Sequence, residues 1–240
     1  MPAAIATLIA DNYNRVLDAV AAAAARAGRS AEEVTLVGVS KYVGPVATAA
    51  LVEAGCSDLG ESRPQQLWEK AAAPELAGTP VRWHQIGHLQ RNKATRTVAT
   101  ASMIHTVDSP RLLRAIDSAA SAELPAEVLL EVNTSGDAEK HGLTAEEAKE
   151  LVARLPEFPR CRVSGLMTMA AREGGPAVAR ANFAALRRLR EELQADAPAG
   201  VTLPHLSMGM SGDFVEAIAE GATHVRIGSA LWEGVRPEDR

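Results

Sequence analysis

Short apolar runs alternate with longer, mixed apolar and polar stretches along almost the whole chain. Strand-like runs fall at 35–40 (TLVGVS), 56–61 (CSDLGE), 81–87 (VRWHQIG) and 103–108 (MIHTVD). Four more follow at 127–133 (EVLLEVN), 162–169 (RVSGLMTM), 203–209 (LPHLSMG) and 223–229 (THVRIGS). Between them the pattern predicts helices over 45–54, 62–72, 92–100, 110–123, 144–155, 176–195 and 211–219. Several of these open with Ser, Thr, Asp or Pro, the residues that suit a helix N-terminus. Ahead of the first strand, alanine-rich residues 3–27 read as an amphipathic helix stopped by Gly28. Ser30 with Glu33 three positions on is then a capping-box pattern.

Strand and helix in strict alternation imply parallel strands joined by crossover helices. Eight such units in about 200 residues predict an α/β protein with a single (β/α)8 barrel over about 34–234 and an extra N-terminal helix. A doubly wound open sheet is the alternative that alternation leaves open. The glycine and proline clusters at 172–176 and 196–200 are too short to be interdomain linkers, so residues 1–240 read as one domain.

Composition narrows the partners. With 47% hydrophobic and 23% charged residues the chain can bury a large core. A net charge of −5 supplies no global attraction to nucleic acid or to an anionic membrane, which favours a small-molecule ligand. No run approaches the roughly 18 apolar residues of a membrane span, and the N-terminal stretch has no basic leader, so a cytoplasmic protein is expected. Cys56 and Cys161 form no CxxC pair and read as reduced thiols in the core, although their separation does not exclude a disulfide.

On a barrel, active groups lie at the carboxyl ends of the strands. Lys41 stands there, directly behind the first strand. A lysine in that place can capture an aldehyde as a Schiff base, or simply reach solvent with its stem packed below. The seventh strand ends in HLSMGMSGDF, where Ser207, Ser211 and the turn amides can cradle an anion. The eighth ends in RIGSALWEG, which adds Gly228 for close backbone approach and Ser229 as a donor. Loops after strands seven and eight form a recurrent phosphate site in such barrels. Arg226 shares an orientation with Gly228 by alternation and can aim into the mouth or pair with a carboxylate at the core edge. An aldehyde-reactive lysine, a phosphate cradle and an arginine together suggest pyridoxal 5′-phosphate (PLP).

VGVSK, GE at 60–61, WHQIGHLQRNK, VDS at 107–109, EVNTSGDAEKHG, GLMTM, LSMGMSGDF and VRIGSALWEG occur in order over residues 34–234. In this combination the chain resembles the YggS/PROSC family of pyridoxal-phosphate homeostasis proteins. The resemblance implies an alanine-racemase-like barrel with PLP held as an internal aldimine on Lys41. It implies phosphate contacts from Ser207, Ser211, Gly228, Ser229 and the Met210 backbone, with Arg226 facing the pyridine nitrogen. Asn133 and Met169, in the matched EVN and GLMTM motifs, join the implied cofactor set. Lys140 matches a family lysine and is implied in cofactor release, or is a solvated loop charge. Two positions depart from the family pattern. Ser62 stands where asparagine is common, and Val43 where a second lysine is common.

The resemblance also implies a monomer that buffers PLP or supplies it to PLP-dependent apoenzymes without substantial catalysis. The alternative is a PLP-dependent amino-acid racemase, which needs acid/base groups on both faces of its substrate. For that role the sequence offers little beyond Tyr42, since Tyr13 lies in the first helix. No metal is expected: His84 and His88 are four apart, but on a strand end and loop rather than a helix, and His105, His141, His205 and His224 share no motif. Asp213 is expected to cap the helix after the phosphate turn, and Met167 and Met169 either pack in the core or meet the cofactor ring.

Overall fold

The computed structural model describes residues 1–137 and 141–235. Helix α1 (Ala3–Arg26) comes first. Gly28 ends it with φ +70°, and the Arg29 and Gly28 amides turn back onto the carbonyls of Ala24 and Ala25. The Ser30–Glu33 capping box forms as the sequence predicts, around a single 3-10 turn. Strands then alternate with helices: β1 (Thr35–Val39), α2 (Pro45–Glu53), β2 (Asp58–Glu61), α3 (Pro64–Ala71), β3 (Arg82–Gln85), α4 (Ala94–Val98), β4 (Met103–Val107) and α5 (Pro110–Ala119). The second half is β5 (Ala126–Glu131), α6 (Ala145–Ala153), β6 (Cys161–Met167), α7 (Gly175–Asp196), β7 (His205–Met210), α8 (Phe214–Ala219) and β8 (His224–Ile227). The strands form a closed parallel barrel in sequence order, completed where β1 pairs with β8 from Thr35 opposite His224 to Gly38 opposite Ile227. Closure rules out the open sheet.

Four predicted helices differ at their ends, each for a local reason. Residues 62–63 form a bend, in which the Ser62 amide donates to Glu61 and the Ser62 carbonyl accepts from Gln85, so α3 starts at Pro64. The stretch from residue 92 starts with a 3-10 turn, Arg91–Lys93, before α4. Helix α5 stops at Ala119, because Ser121 engages the Leu124 amide in a turn of its own. Helix α8 starts at Phe214, and Asp213 does not cap it; its carboxylate accepts from the Met210 amide at 2.6 Å.

The main core lies between the strands and the helix ring. Ile9, Val16 and Val20 of α1, Leu51, Leu67, Leu112, Ile116, Leu151, Phe183, Leu186 and Ile218 are all buried in it. Each such side chain contributes about 1.5–3 kcal/mol on leaving water. The barrel lumen is different. Met103, Leu129 and Met167 form a small separate apolar cluster, while His84, His105, Ser207, His224 and Arg226 are buried polar side chains on the strands. A hydrogen bond joins His105 on β4 to Ser207 on β7, strands that are not neighbours, so it crosses the lumen. Cys56 and Cys161 are both free, and burial pushes each thiol up to about 12, which leaves them unreactive. Among the described residues no helix is long and apolar enough to cross a membrane.

Candidate functional site

Lys41 follows β1 at the carboxyl-end mouth of the barrel, with its side chain exposed and its ammonium 4.9 Å from the centre of the Tyr42 ring. The peptide ahead of it is held from two sides. The Trp232 indole, in the 3-10 turn after β8, donates to the Val39 carbonyl at 2.8 Å. Lys70 of α3 donates to the Ser40 carbonyl at 2.6 Å and forms a buried ion pair with Glu61 at the end of β2. The Ser40 hydroxyl also donates to Glu61, at 3.0 Å. Burial lowers the Lys70 pKa from its ordinary value, with Glu61 opposing the shift. From α1, buried Asn12 donates to the Leu231 and Glu233 carbonyls and fixes the segment after β8. Lys41 therefore projects from a backbone with few alternatives.

Beside it a cavity of about 520 Å³ is lined by Tyr42, Ser211, Ser229, Trp232 and Glu233 among others. Gly228 borders the Tyr42 side of it, where a Cβ would stand in ordinary contact, 3.4 Å from both Tyr42 Cε2 and Val39 Cβ. Its amide donates to the Ser211 hydroxyl at 3.2 Å. The turn that carries Ser211 depends on a bulge: four residues of β7, Ser207 to Met210, run opposite three of β8, His224 to Arg226. Gly209 makes that bulge possible at φ +92°, where a Cβ would come within 2.6 Å of the Ala217 Cβ. Larger hollows of about 610 and 640 Å³ border the amino ends of β5 and β6, away from these groups.

Arg226 lies beneath the mouth, fully buried, donating to the Ser207 hydroxyl at 2.7 Å and the Thr168 carbonyl at 3.0 Å. Burial brings its guanidinium down to about 10, against the pull of Glu131 and Asp213, so it stays charged at neutral pH. Ser207 opens a hydrogen-bonded chain through the lumen. His105 Nδ1 lies 2.8 Å from its oxygen, His105 Nε2 lies 2.9 Å from His84 Nδ1, and His84 Nε2 lies 2.9 Å from Asp58. Arg82 grips Asp58 at 2.6 and 2.8 Å. With both rings uncharged, one set of proton positions satisfies every atom: Arg226 donates to Ser207, Ser207 to His105, His105 to His84, and His84 to the carboxylate. Burial lowers the His105 pKa well below its ordinary value, with His84, His224 and Arg226 adding to the effect.

The structure thus brings Ser211 and Ser229 to one cavity, with Gly228 bonded to Ser211 and Lys41 over the Tyr42 ring that lines the cavity. It treats other expected site residues differently. Ser207 is fully buried and engaged by Arg226 and His105, so its hydroxyl is part of the lumen network. The Met210 amide already donates to Asp213. Asn133 organises its own loop, donating to the Asp137 carbonyl and accepting from Ser135. Met169 is 39% exposed just past β6, whereas Met167 is buried in the lumen cluster. Lys140 lies outside the described residues. Val43 is buried and Ser62 is fixed by backbone contacts. Sequence reasoning missed the lumen chain and Glu131, a carboxylate at the end of β5 that burial pushes up to about 7, with Asp108 adding to the shift. A charged residue closing an otherwise apolar strand, as in LLE, was the available signal.

Residues 16–237 match the family model described as the alanine racemase N-terminal domain, the class that this barrel and mouth define. A relative from Aquifex aeolicus, named pyridoxal phosphate homeostasis protein, is 40% identical over 223 residues, covering 92% of this chain and 96% of the relative. One of the same name from Escherichia coli strain K12 is 38% identical over 229 residues, covering 93% and 95%. The structure of PipY from Synechococcus elongatus with PLP bound superposes with a TM-score of 0.76 at 35% identity, covering 83% of this chain and 92% of that one. The chain belongs to the pyridoxal phosphate homeostasis protein family.

Proposed function

We propose that this protein binds pyridoxal 5′-phosphate in the cytoplasm as a monomer and holds it on Lys41, buffering it or supplying it to apoenzymes without substantial catalysis. The observation that carries this reading is the juxtaposition at the mouth: an exposed amine over Tyr42, whose ring lines a cavity shared with the Ser211 and Ser229 hydroxyls. The donor set, an amine beside two hydroxyls and the Gly228 amide, fits the cofactor's separated groups. PLP supplies an electrophilic aldehyde that a free amine can capture. Lys41 would take the aldehyde, Ser211 and Ser229 the phosphate, and Arg226 the pyridine nitrogen side. The relatives' names and the PLP-bound PipY structure support the assignment. Two free cysteines with raised pKa values suit a reducing compartment.

The mouth offers little for racemisation. Lys41 and Tyr42 are adjacent and in contact, so they do not serve opposite faces of one substrate. Tyr13 donates to the Gly55 carbonyl, on the amino-end side of β2. The test is the visible spectrum during titration with PLP, followed by borohydride reduction and peptide mass spectrometry. A new band and a phosphopyridoxyl adduct on Lys41, lost in Lys41→Ala, are expected. Unchanged labelling in that variant refutes the lysine assignment, and inversion of amino acids above background by the unaltered protein refutes the non-catalytic reading.

A further inference from the structure

Across the mouth from Lys41, the loops after β3, β4 and β5 bring together His88, Asp108 and His141. One ligand-type atom from each lies within 4.8 Å of the other two. His88 Nδ1 is 3.2 Å from Asp108 Oδ2, and the two imidazoles stack with centres 4.9 Å apart. Donor atoms around a tetrahedral Zn²⁺ at about 2.0–2.1 Å stand roughly 3.3–3.4 Å from one another. The His88–Asp108 pair is already at that spacing, and a donor atom of the exposed His141 ring lies within 4.8 Å of both.

Each ligand is held by neighbours. The Gly87 carbonyl accepts from Gln85 and from Thr106, both at 2.8 Å, which ties the backbone before His88 to β4. Asp108 receives the Ser109 hydroxyl on Oδ1 at 3.0 Å and so leaves Oδ2 toward His88. Beside His141, Gly142 adopts φ +119° where a Cβ would stand 2.8 Å from the Asn133 nitrogen, which folds the loop back over the end of β5. Such outer contacts fix ligand orientation in metal sites. Two further observations point to a cation. Glu131, 4% exposed, adds a buried carboxylate within electrostatic reach of the partly buried Asp108 and of His141, with Arg226 partly offsetting its charge. His88 and Asp108 also line a hollow of about 560 Å³, so an ion held between them would border open space.

We propose that His88, Asp108 and His141 form a binding site for a divalent transition-metal ion, Zn²⁺ foremost, with a coordination position left open at the mouth. Two imidazoles and one carboxylate are the donor set that borderline metals select over Ca²⁺ or Mg²⁺. Arg91 and Arg111 line the same hollow, which suits an anionic oxygen donor, a phosphate or carboxylate, in the open position. The site is independent of the PLP assignment and can be tested without cofactor.

The experiment is Zn²⁺ titration of the full chain, free of any affinity tag, against a chromogenic chelator, together with the visible spectrum on adding Co²⁺. One Zn²⁺ per chain and Co²⁺ ligand-field bands are expected. His88→Ala and His141→Ala should each weaken Zn²⁺ binding by at least the ~10–100-fold that loss of a supporting residue costs. His205→Gln, a histidine outside the cluster, should leave it unchanged. If an alanine variant unfolds, the near-isosteric Asp108→Asn carries the same expectation. Substoichiometric Zn²⁺ uptake, a Co²⁺ spectrum like that of the free ion, or undiminished affinity in the folded ligand variants overturns the proposal.

Discussion

Replacing Ser207 with alanine separates two roles for a residue that the sequence places in the phosphate cradle. In the structure its hydroxyl accepts from Arg226 at 2.7 Å and faces His105 Nδ1 at 2.8 Å, with no solvent exposure. Ser207→Ala therefore leaves a buried guanidinium N–H and a buried ring nitrogen without partners. At about 1–3 kcal/mol for each neutral group, and more for a charged one, the loss is about 2–5 kcal/mol. That is a large share of the roughly 5–15 kcal/mol that holds a protein folded. Urea unfolding followed by circular dichroism should show a lower midpoint at unchanged slope. The ratio of affinities for PLP and for pyridoxal, which lacks the phosphate, should stay as it was. His105→Phe removes the other partner, and the double variant should lose less than the sum of the two, since the residues share one network. A stability change under about 0.5 kcal/mol combined with a selective loss of PLP over pyridoxal would return Ser207 to the cradle and refute the lumen role.

Lys70→Met should cost about 3–5 kcal/mol, because Glu61 is left as a buried charge without its partner, and adding Glu61→Gln should restore part of the loss; chemical denaturation of the set checks this. Gly209→Ala should lower the melting temperature through left-handed backbone strain and the 2.6 Å approach to Ala217, together about 2–4 kcal/mol, and should weaken PLP binding by displacing Ser211. Acid should destabilise the fold before any carboxylate titrates in the unfolded chain. His224 is held down to about 3, chiefly by burial. Below the unfolded value near 6.5 the unfolded chain binds a proton that the folded one refuses, so stability falls as pH drops toward 3. This group alone contributes a slope of up to about 1.4 kcal/mol per pH unit. His105 adds in the same direction, while Glu131, raised to about 7 by burial, offsets about one such group between pH 7 and its unfolded value near 4.5, so the net slope is about that of one histidine. Urea midpoints at pH 7, 6 and 5 measure it; equal midpoints across that range contradict the assignment.

The barrel was legible because its strands are bounded apolar runs and its helices begin with identifiable caps. The Ser30–Glu33 box and the Gly28 stop are local devices, set by residues within one turn of each other. The position of Lys41 was legible for the same reason, since the end of a strand is a one-dimensional property. The lumen chain was not. Asp58, His84, His105, Ser207 and Arg226 come from five strands and meet only through barrel closure. Alternation places each of them on a face without saying what it touches. Ser207 illustrates the consequence: it belongs to the same LSMGMS turn as Ser211, but the bulge at Gly209 changes register between them. One serine faces the lumen and the other lines the cavity. The grouping of His88 with Asp108 and His141 is hidden likewise, because three separate loops supply it.

A lumen filled with branched aliphatic side chains would avoid the desolvation that these histidines and Arg226 incur. What the polar chain provides is a cation whose place and charge are both fixed. Thr168 and Ser207 anchor two guanidinium nitrogens, and the only oxygens they offer are neutral. The nearest carboxylates act on Arg226 through space rather than by direct pairing, and Asp58 lies at the far end of the relay. On the proposed reading this undiminished charge would face the pyridine nitrogen of PLP and oppose its protonation. A ring that stays unprotonated draws electrons poorly, so a bound amino acid is activated little. Phosphate donors and Lys41 would then hold a cofactor whose ring is little activated, which suits a carrier and a racemase-like site alike, so the choice between them rests on the acid/base groups at the mouth rather than on Arg226.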